Sequence, residues 1–372
     1  MSPTDHDWRT ALASTIDGTT PPGLALQPIV DLQRGTIVGH EVLARFPGPP
    51  SATPDVWFAA AERLGHGPAL TRSVVEQAMT RLPELPADTF LTVNLEPHHV
   101  HDADVRAAFL NAGRLDRVIL ELTEHAQVDD TDALLHDLDL LRAAGARTAI
   151  DDAGSGYAGL QALLTLRPDL VKLDRGLVDG LDKDPTKRVL LRALGEIADG
   201  IDAWVLGEGV ETTGELQELI AAGVPLGQGY LLGRPTPGFT PEVPIEVVRA
   251  VLDAIGRRRL ADSLVGLLER PAEQVGDLLV FDQDLALEVD GHRRPVALLG
   301  VDLGRVEALL LAKASDTVRD VARRVVSRHA GRWSDPVVVT DGRGVAAGVV
   351  RVARLLEFLA VARTQPAAEA TG

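Results

Sequence analysis

The chain has 372 residues, of which 45% are hydrophobic and 24% charged, a composition typical of a globular protein with an ample core. Its formal net charge is −17, so its surface repels polyanions and is not expected to bind DNA, RNA or an anionic membrane. The sequence contains no cysteine, which excludes disulfides, thiolate metal sites and cysteine nucleophiles.

The N-terminal segment is polar and ends in the pair Pro21-Pro22. It lacks an apolar core of signal-peptide length, and no segment of the chain reaches the roughly 18 uninterrupted apolar residues of a membrane helix. We therefore expect a polar N-terminal lead over residues 1–22 and a cytoplasmic protein that does not enter the membrane.

Short apolar runs then alternate with amphipathic helical patterns. The strand-like runs are LALQPIV, TIVGHEVLARF, TFLTVNL, RVILELTE, RTAIDD, LVKLD, AWVLGEGV and a weaker one around PLGQGYLLG. The helical patterns cover roughly 55–82, 98–112, 130–145, 157–166, 185–200 and 212–222. This alternation indicates an α/β architecture with a largely parallel sheet. Eight strands over this length fit a (β/α)₈ TIM-like barrel, with an open doubly wound sheet as the alternative.

The pattern of apolar and polar residues changes after the eighth strand-like run. We expect the barrel to occupy residues 23–240 and a helical connector to follow over 241–270. Residues 271–363 predict a smaller mixed α/β domain, and 364–372 a flexible tail.

The segment TAIDDAGSGYAGL admits two interpretations. Gly154, Gly156 and Gly159 have the G-x-G-x-x-G spacing of a dinucleotide-binding loop, between a strand-like run and a helical pattern. A pyrophosphate cradle uses bare amides, however, and the adjacent Asp151 and Asp152 would oppose it. The fingerprint also belongs after the first strand of such a fold, whereas here it follows the fifth. We therefore interpret the glycines as loop residues beside a metal site, and a nicotinamide dehydrogenase remains the weaker hypothesis.

Polar side chains that can hold a cation or a phosphate stand at nearly every strand end. They are Glu41, Arg45, Asn94, Glu121, Glu124, Asp151, Asp152, Lys172, Asp174, Glu208, Glu211 and Gln228. In a barrel these ends converge on the face where active sites are built. Carboxylate and amide oxygens suit Mg²⁺, Mn²⁺ or Ca²⁺. Two such cations about 3.5–4 Å apart can support a phosphoryl displacement, and Lys172 can offer charge to the transition state or position a water.

These residues lie in segments that resemble the EAL domain phosphodiesterases of cyclic di-GMP. The signature stands as EVLAR, from Glu41 to Arg45; QPIVDL precedes it, and VNLEP, ELTE, DDAGSGYAGL, PDLVKLD, GEGVET and GQGYLLGRP follow in family order. The resemblance covers about residues 23–237. It implies a barrel whose first strand is antiparallel to the others, and hydrolysis of cyclic di-GMP to linear pGpG.

The resemblance also implies roles for individual residues. The implied metal ligands are Glu41, Asn94, Glu121, Asp151, Asp152 and Glu208. The implied catalytic and supporting residues are Lys172, Glu208, Glu211 and Glu124. The implied substrate contacts are Gln27, Leu43, Arg45 and Gln228. Two divalent cations, Mg²⁺ or Mn²⁺, are the expected cofactors, and Ca²⁺ is expected to inhibit.

Within this set the family assigns distinct tasks. Asp151 would bridge the two metals, and Lys172 would contact the hydrolytic water. Glu208 would act as general base, and Glu124 would hold the loop after the fifth strand, which the family links to dimerisation. We accordingly expect a homodimer.

Two residues of this chain depart from the usual EAL family pattern. Ala153 replaces the usual Phe after the paired aspartates, and Ser155 replaces the usual Thr. No expected ligand is missing, so an active enzyme is favoured; the alternative is a catalytically weak cyclic di-GMP receptor or interaction module.

The C-terminal segments TVRDVARRV and PVVVTDGRGVAAGVVRVARLLEFL weakly resemble a CBS-type pair, which implies a regulatory domain with a nucleotide effector. A plain α/β packing module is the competing interpretation.

Overall fold

The computed structural model describes residues 3–123, 131–153, 157–261, 263–269, 271–274, 284–300, 303–307, 309–313, 316–328, 330–332 and 334–364. The chain divides into two compact units, Met1–Ala254 and Ile255–Gly372. Within the described ranges, no helix combines the length and the apolar character that crossing a membrane requires.

A closed eight-stranded barrel forms the centre of the first unit. In barrel order its strands are β1 (Gly23–Asp31), β2 (Thr36–Arg45), β3 (Phe90–Leu95), β4 (Val118–Leu122), β5 (Arg147–Ala153), β6 (Leu170–Leu173), β7 (Trp204–Gly207) and β8 (Leu226–Gly227). Strand β1 pairs antiparallel with both β2 and β8, and the remaining neighbours are parallel. The predicted barrel with an antiparallel first strand is confirmed, and the open doubly wound sheet is wrong.

The orientation of β1 follows from the length of its connection. A tight turn joins β1 to β2, in which the Gly35 amide donates to the Asp31 carbonyl at 2.8 Å. Gly35 has a φ of +68°, a conformation that glycine adopts without steric cost. A parallel pair would need a crossover of a dozen or more residues, so a turn this short dictates antiparallel pairing.

Helices precede, connect and follow the strands of the barrel. They are α1 (Asp5–Ile16), α2 (Pro54–Arg63), α3 (Gly67–Met79), α4 (Ala103–Leu110), α5 (Thr131–Ala143), α6 (Tyr157–Leu166), α7 (Arg175–Val178), α8 (Pro185–Gly200), α9 (Thr213–Ala222) and α10 (Ile245–Ala261), with single 3₁₀ turns at Leu82–Glu84 and Pro97–His101. The last of them, α10, begins in the first unit and ends in the second. The helical pattern predicted over 55–82 is two helices, because Gly65 takes a left-handed φ of +75° and ends the first of them.

Helix α1 lies where the sequence predicts only a polar lead. Thr4 and Asp7 form a capping box at its N-terminus, and Trp8 and Leu12 are buried. The Trp8 ring meets Trp57 of α2 edge to face, with centroids 5.2 Å apart, and Trp57 stacks on Phe46 at 4.6 Å. The N-terminal segment is therefore part of the folded first unit.

After the end of α10, the described residues of the second unit form two small sheets and two helices. Its elements are β9 (Ala272–Gln274), β10 (Leu285–Val289), β11 (Pro295–Gly300), β12 (Gly304–Val306), β13 (Leu311–Lys313), α11 (Val318–Val326), β14 (Val337–Thr340), β15 (Ala346–Val350) and α12 (Val352–Thr364), with a 3₁₀ turn at Leu264–Leu267. The sheet orders are β12-β11-β10-β9 and β13-β14-β15. Alternating valines such as Val337 and Val339 enter its core. The expected smaller α/β module is present; the domain boundaries and the CBS-type resemblance stay predictions.

Candidate functional site

The period-two alternation of strand side chains places the polar residues directly above an apolar layer inside the barrel. That layer contains Ile29, Ile119, Ala149, Leu170, Leu206 and Leu226. Two positions further along a strand the side chain returns to the same face. The polar residues at those positions in β4 to β8 are Glu121, Asp151, Lys172, Glu208 and Gln228. One interior face thus changes from hydrocarbon to charge at the carboxyl ends of the strands, as expected for a barrel active site.

Lys172 lies at the centre of this charged layer and is 1% exposed. Its Nζ lies 2.6 Å from Glu208 Oε1, 3.0 Å from Glu121 Oε2 and 3.1 Å from Asp151 Oδ1. A fourth carboxylate oxygen, Glu41 Oε1, is 3.8 Å away. One buried ammonium group therefore contacts carboxylates from four other strands or strand ends.

Glu41 is oriented by two amide side chains. Asn94 Nδ2 donates a hydrogen bond to Glu41 Oε1 at 3.0 Å, and Gln228 Nε2 donates to Glu41 Oε2 at 2.6 Å. Burial opposes ionisation of Glu41, but Lys172 and these two hydrogen bonds outweigh it and lower the pKa of Glu41 below its usual value. Glu41 is thus a fixed, ionised carboxylate.

The pKa values of the other titratable groups in the cluster are raised. Burial, reinforced by the neighbouring carboxylates, raises the pKa of Glu121 well above its usual value although Lys172 opposes this. Burial likewise raises the pKa of Glu208 from 4.5 to about 8. Burial disfavours the charged form of Lys172, yet the surrounding carboxylates outweigh it and raise the pKa of Lys172 well above 10.5. The site holds more negative charge than one ammonium group can balance.

The chemistry of these residues fits a divalent cation. The facing ligand atoms are carboxylate and amide oxygens, the ligands that Mg²⁺ and Mn²⁺ prefer. Two of these oxygens, Glu121 Oε1 and Gln228 Oε1, are buried and have no hydrogen-bond partner among the residues that the structure describes. Buried polar atoms are normally satisfied, so unpaired oxygens beside excess negative charge are positioned to accept a cation.

The pair Asp151 and Asp152 lies in an irregular part of β5. The pairing of β5 with β6 shifts register between Ile150 and Ala153. Such an irregularity re-aims side chains at a strand end. The side chain of Asp152 falls outside the described part of the structure, as do Glu124, Gly154, Gly156 and Ser155.

Three further predicted residues lie around the cluster in different ways. Gln27 stands opposite Glu41 in the pairing of β1 with β2, and its Nε2 donates to the Gly233 carbonyl at 3.2 Å. Glu211 instead forms an ion pair with Arg175 at 2.7 Å at the surface. Asp174 caps α7, because its side chain accepts from the Gly176 amide at 2.7 Å. The structure therefore brings Gln27 next to the cluster and gives Glu211 and Asp174 local partners.

A cavity of about 530 Å³ adjoins the charged cluster at Asn94. Its wall includes Leu43, Arg45, Asn94, Phe58, Glu62 and His98. The predicted substrate contacts Leu43 and Arg45 thus share one concave surface. The sequence analysis did not predict that α2 forms part of this wall. The position of α2 in the chain, directly after the strand that carries EVLAR, could have indicated it.

Comparison with known proteins agrees with this architecture. The EAL domain family profile matches residues 23–235, more than half of the chain. The chain is 32% identical over 225 residues to the bifunctional diguanylate cyclase/cyclic di-GMP phosphodiesterase MucR of Pseudomonas aeruginosa, covering 58% of this chain and 33% of MucR. Across the curated relatives named in the comparison, the chain spans 26% to 43% of the relative's length.

Two solved structures show the same fold. The PaMucR phosphodiesterase in complex with c-di-GMP superposes with a TM-score of 0.55 at 30% identity, covering 62% of this chain and 98% of that one. The manganese/cy-diGMP complex of BlrP1 from Klebsiella pneumoniae gives a TM-score of 0.52 at 32% identity, with 58% of this chain and 56% of that one covered. The profile match over residues 23–235, the barrel topology and the strand that carries EVLAR together show that the chain belongs to the EAL domain family.

Proposed function

We propose that this protein is a metal-dependent phosphodiesterase that hydrolyses cyclic di-GMP to linear pGpG. The observation that carries the proposal is the buried Lys172 amid the carboxylates of Glu41, Glu121, Asp151 and Glu208 at the carboxyl ends of the barrel strands. A relative of the same family is named as a cyclic di-GMP phosphodiesterase, and structural neighbours hold this nucleotide. The family and the chemistry of the site point to the same reaction.

Two cations are part of the proposal. The residues that would hold them are Glu41, Asn94, Glu121, Asp151, Asp152 and Glu208. Bound there, Mg²⁺ or Mn²⁺ would neutralise charge on the phosphodiester and lower the pKa of a water molecule. A neighbouring structure that holds manganese together with cyclic di-GMP supports the choice of Mn²⁺. The family resemblance further implies that Ca²⁺ inhibits this chain.

The side chains of the chain perform the remaining tasks. Lys172 orients the attacking water with its N–H groups and stabilises negative charge that develops on the phosphoryl oxygens. Glu208 accepts the proton of that water. The water oxygen forms a bond to phosphorus, the bond from phosphorus to the ribose 3′ oxygen breaks, and that oxygen takes up the proton that Glu208 accepted and leaves as a hydroxyl.

Substrate binding is assigned to the cavity beside Asn94. Leu43 offers an apolar contact to a guanine base, and Arg45 offers donors to phosphate or to guanine acceptors. Gln27 and Gln228 complete the polar rim next to Glu41. A cytoplasmic location, a homodimer and a nucleotide effector for the second unit belong to this proposal as predictions.

A turnover assay tests the proposal. The full chain is incubated with cyclic di-GMP and Mg²⁺, Mn²⁺, Ca²⁺ or chelator, and the products are separated by chromatography. We expect pGpG with Mg²⁺ or Mn²⁺ and none with Ca²⁺ or chelator. Binding of cyclic di-GMP without turnover under every condition would instead establish the receptor alternative. Ala153, which replaces the family's usual Phe, would then be the first residue to test as the cause of the lost activity.

A further inference from the structure

A group of two imidazoles and one carboxylate lies outside the Lys172 cluster, and two of its members, Glu62 and His98, line the cavity. Glu62 stands in the last turn of α2, and His98 and His99 belong to the 3₁₀ turn after β3. His99 Nε2 is 2.6 Å from Glu62 Oε1, and His98 Nε2 is 3.6 Å from the same oxygen. One ligand atom from each residue lies within 4.8 Å of the other two. We name these three residues the His98 site.

The buried member of the group has an unsatisfied ring nitrogen. His99 is 0% exposed, and its Nε2 has no partner in hydrogen-bond geometry among the described residues despite the proximity of Glu62. Its Nδ1 lies 2.9 Å from Thr71 Oγ1. With the proton on Nδ1 and donated to Thr71, the Nε2 lone pair faces the Glu62 carboxylate directly. In this tautomer the two lone pairs converge on one point, where a metal ion would take the place that a proton holds in the other tautomer.

Gly67 provides the space for this arrangement. A Cβ atom at Gly67, the first residue of α3, would overlap the Glu62 carboxylate. The missing side chain therefore lets Glu62 turn toward His99 instead of toward solvent. Three separate features, namely the imidazole pair, the Thr71 contact and the Gly67 gap, converge on the same small volume.

We propose that the His98 site binds one transition-metal ion of the Zn²⁺, Co²⁺ or Ni²⁺ class. Imidazole and carboxylate ligands suit these ions, whereas Mg²⁺ prefers oxygen alone. Metal–ligand bonds of about 2.0–2.1 Å at tetrahedral angles separate two ligand atoms by about 3.3 Å. The spacing of His98 Nε2 from Glu62 Oε1 is close to this value, and the spacing from His99 has to open by less than 1 Å. A water or a substrate group would complete the coordination.

The site would join two elements that form one wall of the cavity. Glu62 belongs to α2, and the two histidines follow β3 immediately after Asn94 and Glu96. A metal held there would link these elements and fix part of the wall of the cavity that Arg45 also lines. The site is separate from the oxygen-ligand cluster and does not depend on the proposed phosphodiesterase activity.

Cobalt titration of the full chain tests the proposal. The protein is stripped with chelator, its oxygen-ligand cluster is saturated with excess Mg²⁺, and Co²⁺ is added while visible d–d absorption is recorded. The variants are Glu62→Gln, His98→Ala and Gly67→Ala, which change partly exposed groups or a helix position that favours alanine. His6→Ala, which removes an exposed histidine of α1, is the matched control.

We expect the wild-type chain and His6→Ala to bind one equivalent of Co²⁺ with imidazole-type absorption. Glu62→Gln, His98→Ala and Gly67→Ala should bind it at least about tenfold more weakly. Gly67→Ala should do so without loss of thermal stability, because alanine is the better helix former. Identical titrations for the wild type, Glu62→Gln and His98→Ala would overturn the proposal, and unchanged binding by Gly67→Ala would contradict the placement of Glu62 in the site.

Discussion

Replacing Lys172 with methionine removes the buried cation from the carboxylate cluster while keeping a side chain of similar length. Lys172 is 1% exposed and lies within 3.1 Å of three carboxylates. Removing one partner of a buried ion pair costs about 3–5 kcal/mol, because the other partner stays buried without compensation. For a unit of this size each kcal/mol corresponds to about 2–4 °C, so metal-free Lys172→Met should melt about 6–20 °C below the wild type.

The loss should depend on pH and on added cation. The pKa of Glu208 is raised to about 8 and the pKa of Glu121 is raised well above its usual value, so these carboxyls take up protons as the pH falls and then need less positive charge. The raised pKa of Lys172 keeps the wild-type ammonium charged over this whole range, so its contribution persists up to at least pH 9. The melting difference should therefore grow from pH 6 to pH 9, and Mn²⁺ should restore more stability to Lys172→Met than to the wild type.

Differential scanning fluorimetry of chelator-treated protein checks this prediction. Lys183→Met is the matched control, because Lys183 is exposed. Equal melting temperatures for Lys172→Met and Lys183→Met, or a loss that Mn²⁺ does not reduce, would refute the argument that the cluster is held together by one central cation.

Three further outcomes follow from the same structure. Glu121→Gln should melt above the wild type at pH 9 without metal and bind Mn²⁺ more weakly in calorimetry, because a carboxyl whose pKa is raised by folding lowers the stability of the fold above its unfolded pKa. Mn²⁺ binding should release more protons near pH 7 than at pH 9, because Glu208, with its pKa of about 8, must ionise when the metal binds. Calorimetry in buffers of different ionisation enthalpy measures the number of protons released, and equal release at both pH values would contradict this prediction. Trp8→Ala should lower the free energy of unfolding by about 3–5 kcal/mol in urea, because Trp8 packs edge to face on Trp57; a change below 1 kcal/mol would mean that α1 does not support the barrel.

The barrel could be predicted because its signals are local. Apolar runs separated by amphipathic segments predict strands and helices, and a functional residue two positions beyond an apolar one predicts the interior face. Glu121 follows Ile119 in this way, and Lys172 follows Leu170. Resemblance to the EAL family then supplied the antiparallel first strand, which the short turn at Gly35 explains physically.

Other features depend on tertiary packing and are not visible in sequence spacing. Helix α1 buries Trp8 and Leu12 within an otherwise polar segment, so its periodicity is weak. The approach of Lys172 to Glu41, at 3.8 Å, requires the ends of β6 and β2 to meet across the barrel. Glu62 and His99 are distant in sequence and come together only because α2 packs beside the end of β3.

The rate at which the Glu41→Ala variant releases pGpG tests the central claim most directly. Glu41 is held by Asn94 and Gln228 and faces Lys172, whereas Glu76 is an exposed glutamate of α3 that serves as control. With cyclic di-GMP and Mn²⁺, we expect the wild type and Glu76→Ala to release pGpG at the same rate and Glu41→Ala to lose turnover by at least about 100-fold while remaining folded. Wild-type turnover by Glu41→Ala would contradict the assignment of this carboxylate cluster as the catalytic metal centre.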